Sequence, residues 1–132
     1  MLSGGEPLLH PDILQIVRHY SRLVNDVILI TNGWLANRDR IVALVSEGLT
    51  GLAFSIDSID AIILAKTRDM SSAQVNRSLE NFQTISESRR EGVIDIELGV
   101  ISVVTTENST VHNVMHLLEW AQIHELDYVK FN

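Results

Sequence analysis

Apolar and polar positions alternate between two periods along this chain, and the switches between them predict a repeating strand and helix order. Ile13, Ile16, Val17, Tyr20 and Val24 recur at helical spacing behind Pro11 and Asp12, residues suited to a first helical turn, so a first helix is expected there. Val27-Ile28-Leu29-Ile30 is an unbroken apolar run, the pattern of a central parallel strand covered on both faces, and it ends in the turn sequence Thr31-Asn32-Gly33. Asn37 can cap a second helix carrying Ile41, Leu44 and Val45, with Gly48 placed to end it in the left-handed conformation. Leu52 to Asp57 reads as the next strand, and residues 58 to 70 read as irregular. Ser71 or Ser72 then caps a long helix with Val75, Leu79, Phe82 and Ile85 on one face, stopped by Gly92. Ile94, Ile96, Leu98 and Val100 alternate with polar positions and run into Val103-Val104, predicting a strand longer than its neighbours. Asn108 or Ser109 opens the last helix, with Val111, Val114, Met115, Leu118 and Ala121 inward, and Tyr128-Val129-Lys130-Phe131 is the final strand.

The resulting array is α/β, with parallel strands joined by right-handed helical crossovers: either an open doubly wound sheet or an arc of a (β/α) barrel. In both, ligands sit at the strand C-termini, and those termini here carry Gly4 to Pro7, Thr31 to Gly33, Ser55 with Asp57, and Thr105 to Asn108. The strongest single feature is Ser3-Gly4-Gly5-Glu6-Pro7. Adjacent glycines let main-chain groups approach a ligand closely, Glu6 adds a fixed carboxylate, and Pro7 stiffens the exit. Such a corner suits an ammonium group.

Composition narrows the partners. The 132 residues form one domain or part of one, and 45% hydrophobic content supports a real core. Ten Lys and Arg against seventeen Asp and Glu give a net charge of -7, which argues against nucleic acid or an anionic membrane held by bulk charge. No apolar run reaches the roughly 18 residues of a membrane helix and no signal peptide is present, so a cytoplasmic location is the default. Without cysteine the chain offers no disulfide, thiolate metal site or cysteine nucleophile. His112 and His116 lie four apart on one helical face, yet no third ligand is near in sequence, and a solvated face is the better reading. Trp34 and Trp120 read as packing residues, and Asp95 and Glu97 as facing water.

Taken together, Ser3 to Asp12, Thr31-Asn32-Gly33 and Phe54-Ser55-Ile56-Asp57-Ser58 at successive strand ends resemble the radical S-adenosylmethionine enzymes over essentially the whole chain. The resemblance implies a partial (β/α) barrel with helices on its outer face, and a bound S-adenosylmethionine whose amino group is held by Gly4, Gly5 and Glu6, with Pro7 closing the corner. By the same resemblance Thr31 and Asn32 face the cavity, Ser55 and Asp57 contact the ribose or carboxylate, and Val104 belongs to the apolar element against which adenine rests. It also implies a [4Fe-4S] cluster held by a Cys-x3-Cys-x2-Cys loop, which this chain lacks and which would precede Met1. On this reading residues 1–132 are central βα units of a barrel truncated at both ends, inactive alone and acting on an unknown substrate in the intact enzyme. Two rivals remain: a non-catalytic βα module, either a signalling receiver with Asp57 as phosphate acceptor or a protein-interaction domain, and a cluster-free S-adenosylmethionine binder.

Overall fold

A computed structural model describes all 132 residues. Four parallel strands lie side by side in the order of the sequence, β1 (Ile28–Thr31), β2 (Gly51–Ser55), β3 (Glu97–Ser102) and β4 (Tyr128–Phe131). Leu2 extends the sheet beyond β1: its N–H donates to the Ile28 carbonyl at 2.7 Å, and its own carbonyl accepts from Ile30 N–H at 2.9 Å. Five helices connect the strands: α1 (Ile13–Ser21), α2 (Arg38–Ser46), α3 (Ala61–Arg68), α4 (Ser72–Arg90) and α5 (Val111–Ile123). The sheet is an open arc, as the partial barrel requires, and β3 is its longest strand.

The register separates two faces. Leu29, Leu52, Phe54, Leu98 and Val100 point to the helices and join a core of 21 buried residues. Phe82 of α4 sits at its centre, edge-on to Phe54 at 5.1 Å and packed on Trp120 of α5 at 4.3 Å. The opposite, concave face carries Ile28 and Ile30, then Gly51, Ala53 and Ser55, then Gly99 and Ile101, then Tyr128 and Lys130. β1 is therefore buried on one face only, with Ile28 and Ile30 half-buried, rather than covered on both. Its unbroken apolar run reflects the semi-enclosed interior of a barrel arc.

Gly99 matters on this face because the Tyr128 ring occupies the space a Cβ would fill. Gly99→Val is expected to cost about 1–3 kcal/mol through overpacking. Adding Tyr128→Ala should recover most of that loss in urea denaturation; an undiminished loss in the double variant would mean the glycine serves the backbone instead.

Helix boundaries follow local chemistry. Asn37 Oδ1 accepts from Arg40 N–H at 3.0 Å, Ser71 and Gln74 form a reciprocal capping box, and Gly48 and Gly92 take φ of +102° and +72° after α2 and α4. Several expectations change, among them the inward face of α5, where Val111, Met115 and Leu118 are exposed and Leu117 and Ala121 are buried. Residues 58–70 contain α3, because Asp60 Oδ1 accepts from Ile62 N–H and Ile63 N–H at 2.8 and 3.1 Å and starts a helix that the crowded isoleucines obscure. Thr110, not Asn108 or Ser109, caps α5, leaving Asn108 buried in the preceding turn. β3 stops at Ser102, so Val103 and Val104 lie past the strand and stay exposed; α1 stops at Ser21, leaving Val24 outside it.

Candidate functional site

The diglycine corner is fixed by its own acid. Glu6 Oε1 accepts from Leu8 N–H at 3.0 Å and from the Thr31 hydroxyl at 2.8 Å, while Oε2 accepts from Asn32 N–H at 2.8 Å. Pro7 opens a short 3₁₀ turn, Pro7–Leu9, which Glu6 caps. Arg40 of α2 donates to the Leu8 carbonyl and ties that turn to the helical layer. The carboxylate that the sequence offers as a ligand's counter-charge is thus directed onto the end of β1. What the corner presents outward is main chain: Ser3, Gly4 and Gly5 take part in no backbone hydrogen bond of the fold. Gly4 has φ of +137°, and a Cβ at Gly4 or Gly5 would meet nothing within 4 Å. A hollow of about 440 Å³ opens beside them, with Glu6, Leu9 and His10 in its wall.

Thr31 and Asn32 are held as firmly. The Thr31 hydroxyl accepts from Gly33 N–H at 3.0 Å, and the Asn32 side-chain oxygen accepts from Trp34 N–H at 3.3 Å. From α4, Ser78 donates to the Asn32 carbonyl at 2.6 Å and Asn81 donates to the Gly33 carbonyl at 2.9 Å. Gly33 is required here: its φ is +88°, and a Cβ would lie 2.6 Å from the Phe54 ring.

Ser55, at the end of β2, is half-buried on the concave face and its hydroxyl bonds to no other group of the protein. Because Thr31 and Phe54 are register partners, Ser55 and the corner share the same C-terminal edge of the sheet. Asp57 does not open onto that edge. It is 2% exposed, and Oδ1 accepts from Arg68 Nη2 at 2.6 Å and from Val103 N–H at 2.8 Å. Asn108 and Asn113 each donate to the Asp57 carbonyl at 3.2 Å, and Ser58 donates to Asn113. Asp57 is therefore a brace that ties the ends of β2 and β3 together, and a phosphate acceptor in a receiver would need an open carboxylate. Val104 stands just past β3, an exposed residue whose N–H is bonded to the Asn132 carbonyl at 2.9 Å.

The residues that sequence reasoning missed are those holding the loops: Arg68, Ser78, Asn81 and Asn113, while Asn108, read as a strand-end residue or helix opener, braces the turn instead. Polar residues placed on apolar helix faces, as Ser78 and Asn81 are between Val75, Phe82 and Ile85, were the available signal. A second hollow of similar size lies between α4 and α5 in the outer layer, lined by Leu79, Gln83, Trp120 and His124. Burial there pushes His124 below the ordinary histidine range, and Arg90 adds to the effect.

The sequence model of the Radical SAM superfamily matches residues 1–121. This chain belongs to the radical SAM superfamily. A GTP 3',8-cyclase of Microcystis aeruginosa is 30% identical over 119 residues, 88% of this chain and 35% of that protein. A PqqA peptide cyclase of Rhodopseudomonas palustris is 27% identical over 116 residues, covering 88% of this chain and 27% of that protein. This chain thus spans about a third or less of these relatives. Among solved structures, Streptococcus suis SuiB bound to precursor peptide SuiA superposes with a TM-score of 0.74 at 15% identity, over 97% of this chain and 27% of SuiB, a likeness of fold.

Radical SAM enzymes use S-adenosylmethionine and a [4Fe-4S] cluster. The residues present do not fit the cluster: there is no cysteine, and no three His, Asp or Glu side chains lie close enough to hold a metal ion. Toward the ammonium of S-adenosylmethionine, the unbonded main chain at Ser3 to Gly5 offers carbonyl acceptors beside open space. No helix is long and apolar enough to cross a membrane.

Proposed function

We propose that these residues form the S-adenosylmethionine-binding part of a radical enzyme. The observation that carries this reading is the outward-facing, unbonded main chain of Ser3, Gly4 and Gly5, held in place by Glu6 at the strand-end edge that also bears Ser55. The carbonyls of the corner would accept from the methionyl ammonium, and Glu6 fixes their direction. Ser55 supplies a hydroxyl for the ribose or carboxylate, and Val104 an apolar surface for adenine. Thr31 and Asn32 act by holding the corner, and Asp57 by holding the ends of β2 and β3. In this superfamily S-adenosylmethionine supplies, on reductive cleavage, a 5'-deoxyadenosyl radical that takes a hydrogen atom from substrate. The cluster thiolates would come from protein outside residues 1–132, and the whole enzyme would be an oxidoreductase of the cytoplasm.

Gly5→Val is the direct test. Gly5 has no positive φ and open space around its Cβ direction, so the fold should tolerate the change within about 0.5 kcal/mol. Isothermal titration with S-adenosylmethionine is expected to show affinity at least tenfold weaker, about 1.4 kcal/mol, because valine fills the space the ligand needs. Equal affinity of the variant and the parent would overturn the proposal.

A further inference from the structure

The concave face carries two charged side chains at opposite ends of the strands, Glu97 at the start of β3 and Lys130 near the end of β4. The placement of Lys130 follows from its neighbours. Tyr128 lies over Gly99 on the concave face, Val129 packs against the helix-side core, and Lys130 therefore returns to the concave face beside Ile101. Ile101 is in turn the register partner of Ser55, so Ser55, Ile101 and Lys130 form one row across β2, β3 and β4 at the C-terminal edge. Lys130 is exposed and belongs to no ion pair, whereas Arg68, at the end of α3, is engaged with Asp57. In a chain of net charge -7, a free ammonium at that place is a local exception.

We infer that Lys130 anchors an oxyanion, carboxylate or phosphate, of the second substrate, which makes that substrate an anionic molecule lying over β3 and β4 beside the cofactor's contact at Ser55. This rests on the reading of the corner as the S-adenosylmethionine site, at the other end of the sheet. From the segment at Leu2 to β4 there are four strand spacings, about 19 Å along the arc. The methionyl ammonium and carboxylate share one carbon, so with the ammonium at the corner that carboxylate starts from the opposite end of the arc to Lys130. That the anion at Lys130 belongs to another molecule is what the S-adenosylmethionine titration below tests.

The experiment titrates the 132-residue chain, Lys130→Met and Lys130→Arg with inorganic pyrophosphate and with succinate at matched ionic strength, following amide shifts by NMR. At least one probe is expected to perturb Ser55, Ile101 and Lys130. Its affinity should fall about tenfold in Lys130→Met and return in Lys130→Arg, which retains the charge. A pyrophosphate response alone assigns a phosphate, a succinate response alone a carboxylate. Unchanged affinity for both in Lys130→Met would overturn the inference and leave Lys130 as a solubilising edge-strand lysine. S-adenosylmethionine titrated into the same proteins keeps the two readings apart. Weaker cofactor binding in Lys130→Met would also overturn the inference, by returning the anion to the methionyl group. Absent cofactor binding in the parent chain would instead count against the corner while the pyrophosphate and succinate results still stand.

Discussion

Asp57→Ala is expected to destabilise the chain by about 3 kcal/mol, the low end for breaking a buried ion pair because the Arg68 side chain keeps 21% of its exposure. The loss has two parts. Arg68 is left with only the Ile101 carbonyl at 3.3 Å as partner, and Val103 N–H loses its acceptor. Both fall on the strand ends, so the damage should spread through Asn108 and Asn113, which hang from the Asp57 carbonyl. Urea denaturation measures the change. Asp57→Ala combined with Arg68→Met should be milder than Asp57→Ala alone, because the uncompensated guanidinium is gone. A single variant as stable as the parent would show that the carboxylate is free of the fold and available to a ligand.

Glu6→Gln is expected to weaken S-adenosylmethionine binding about a hundredfold, near 2.7 kcal/mol, and to lower stability by about 2 kcal/mol. The parent carboxylate accepts from three donors, with Leu8 N–H and Thr31 Oγ1 on one oxygen and Asn32 N–H on the other. An amide has one oxygen, so its NH₂ must face a donor whichever way it turns. Thr31→Val removes a single one of these bonds and should give a much smaller loss of both affinity and stability. Equal effects of the two substitutions would mean that Glu6 does not set the corner.

The strand and helix order was legible because apolar periodicity is a local signal. The runs at Val27–Ile30 and Leu52–Ile56 and the caps at Asn37 and Ser71 all depend on neighbours in sequence. The diglycine corner was legible for the same reason, since glycine and proline act on their own backbone. What the Glu6 and Asp57 side chains do was not. Their partners Thr31, Asn32, Arg68 and Val103 lie between 11 and 46 residues away, and only the register of the parallel strands brings them together. Helix α3 was hidden by a different cause. Ile59, Ile62 and Ile63 favour no single face, only Leu64 of that helix is buried, and a side-chain cap at Asp60 starts the helix without an apolar stripe. Lys130 drew no notice in sequence because its strand is short and half-exposed; its meaning comes from Gly99 and Tyr128 next to it.

Glu6 turned inward has a consequence for how such a domain can diverge. If recognition at the bend rests on peptide carbonyls, it is carried by atoms every amino acid possesses, and neighbouring side chains are free to drift provided the bend keeps its shape. Selection on the first ligand would then act on a handful of positions that set geometry, leaving the far rim of the arc open to evolve toward new chemistry.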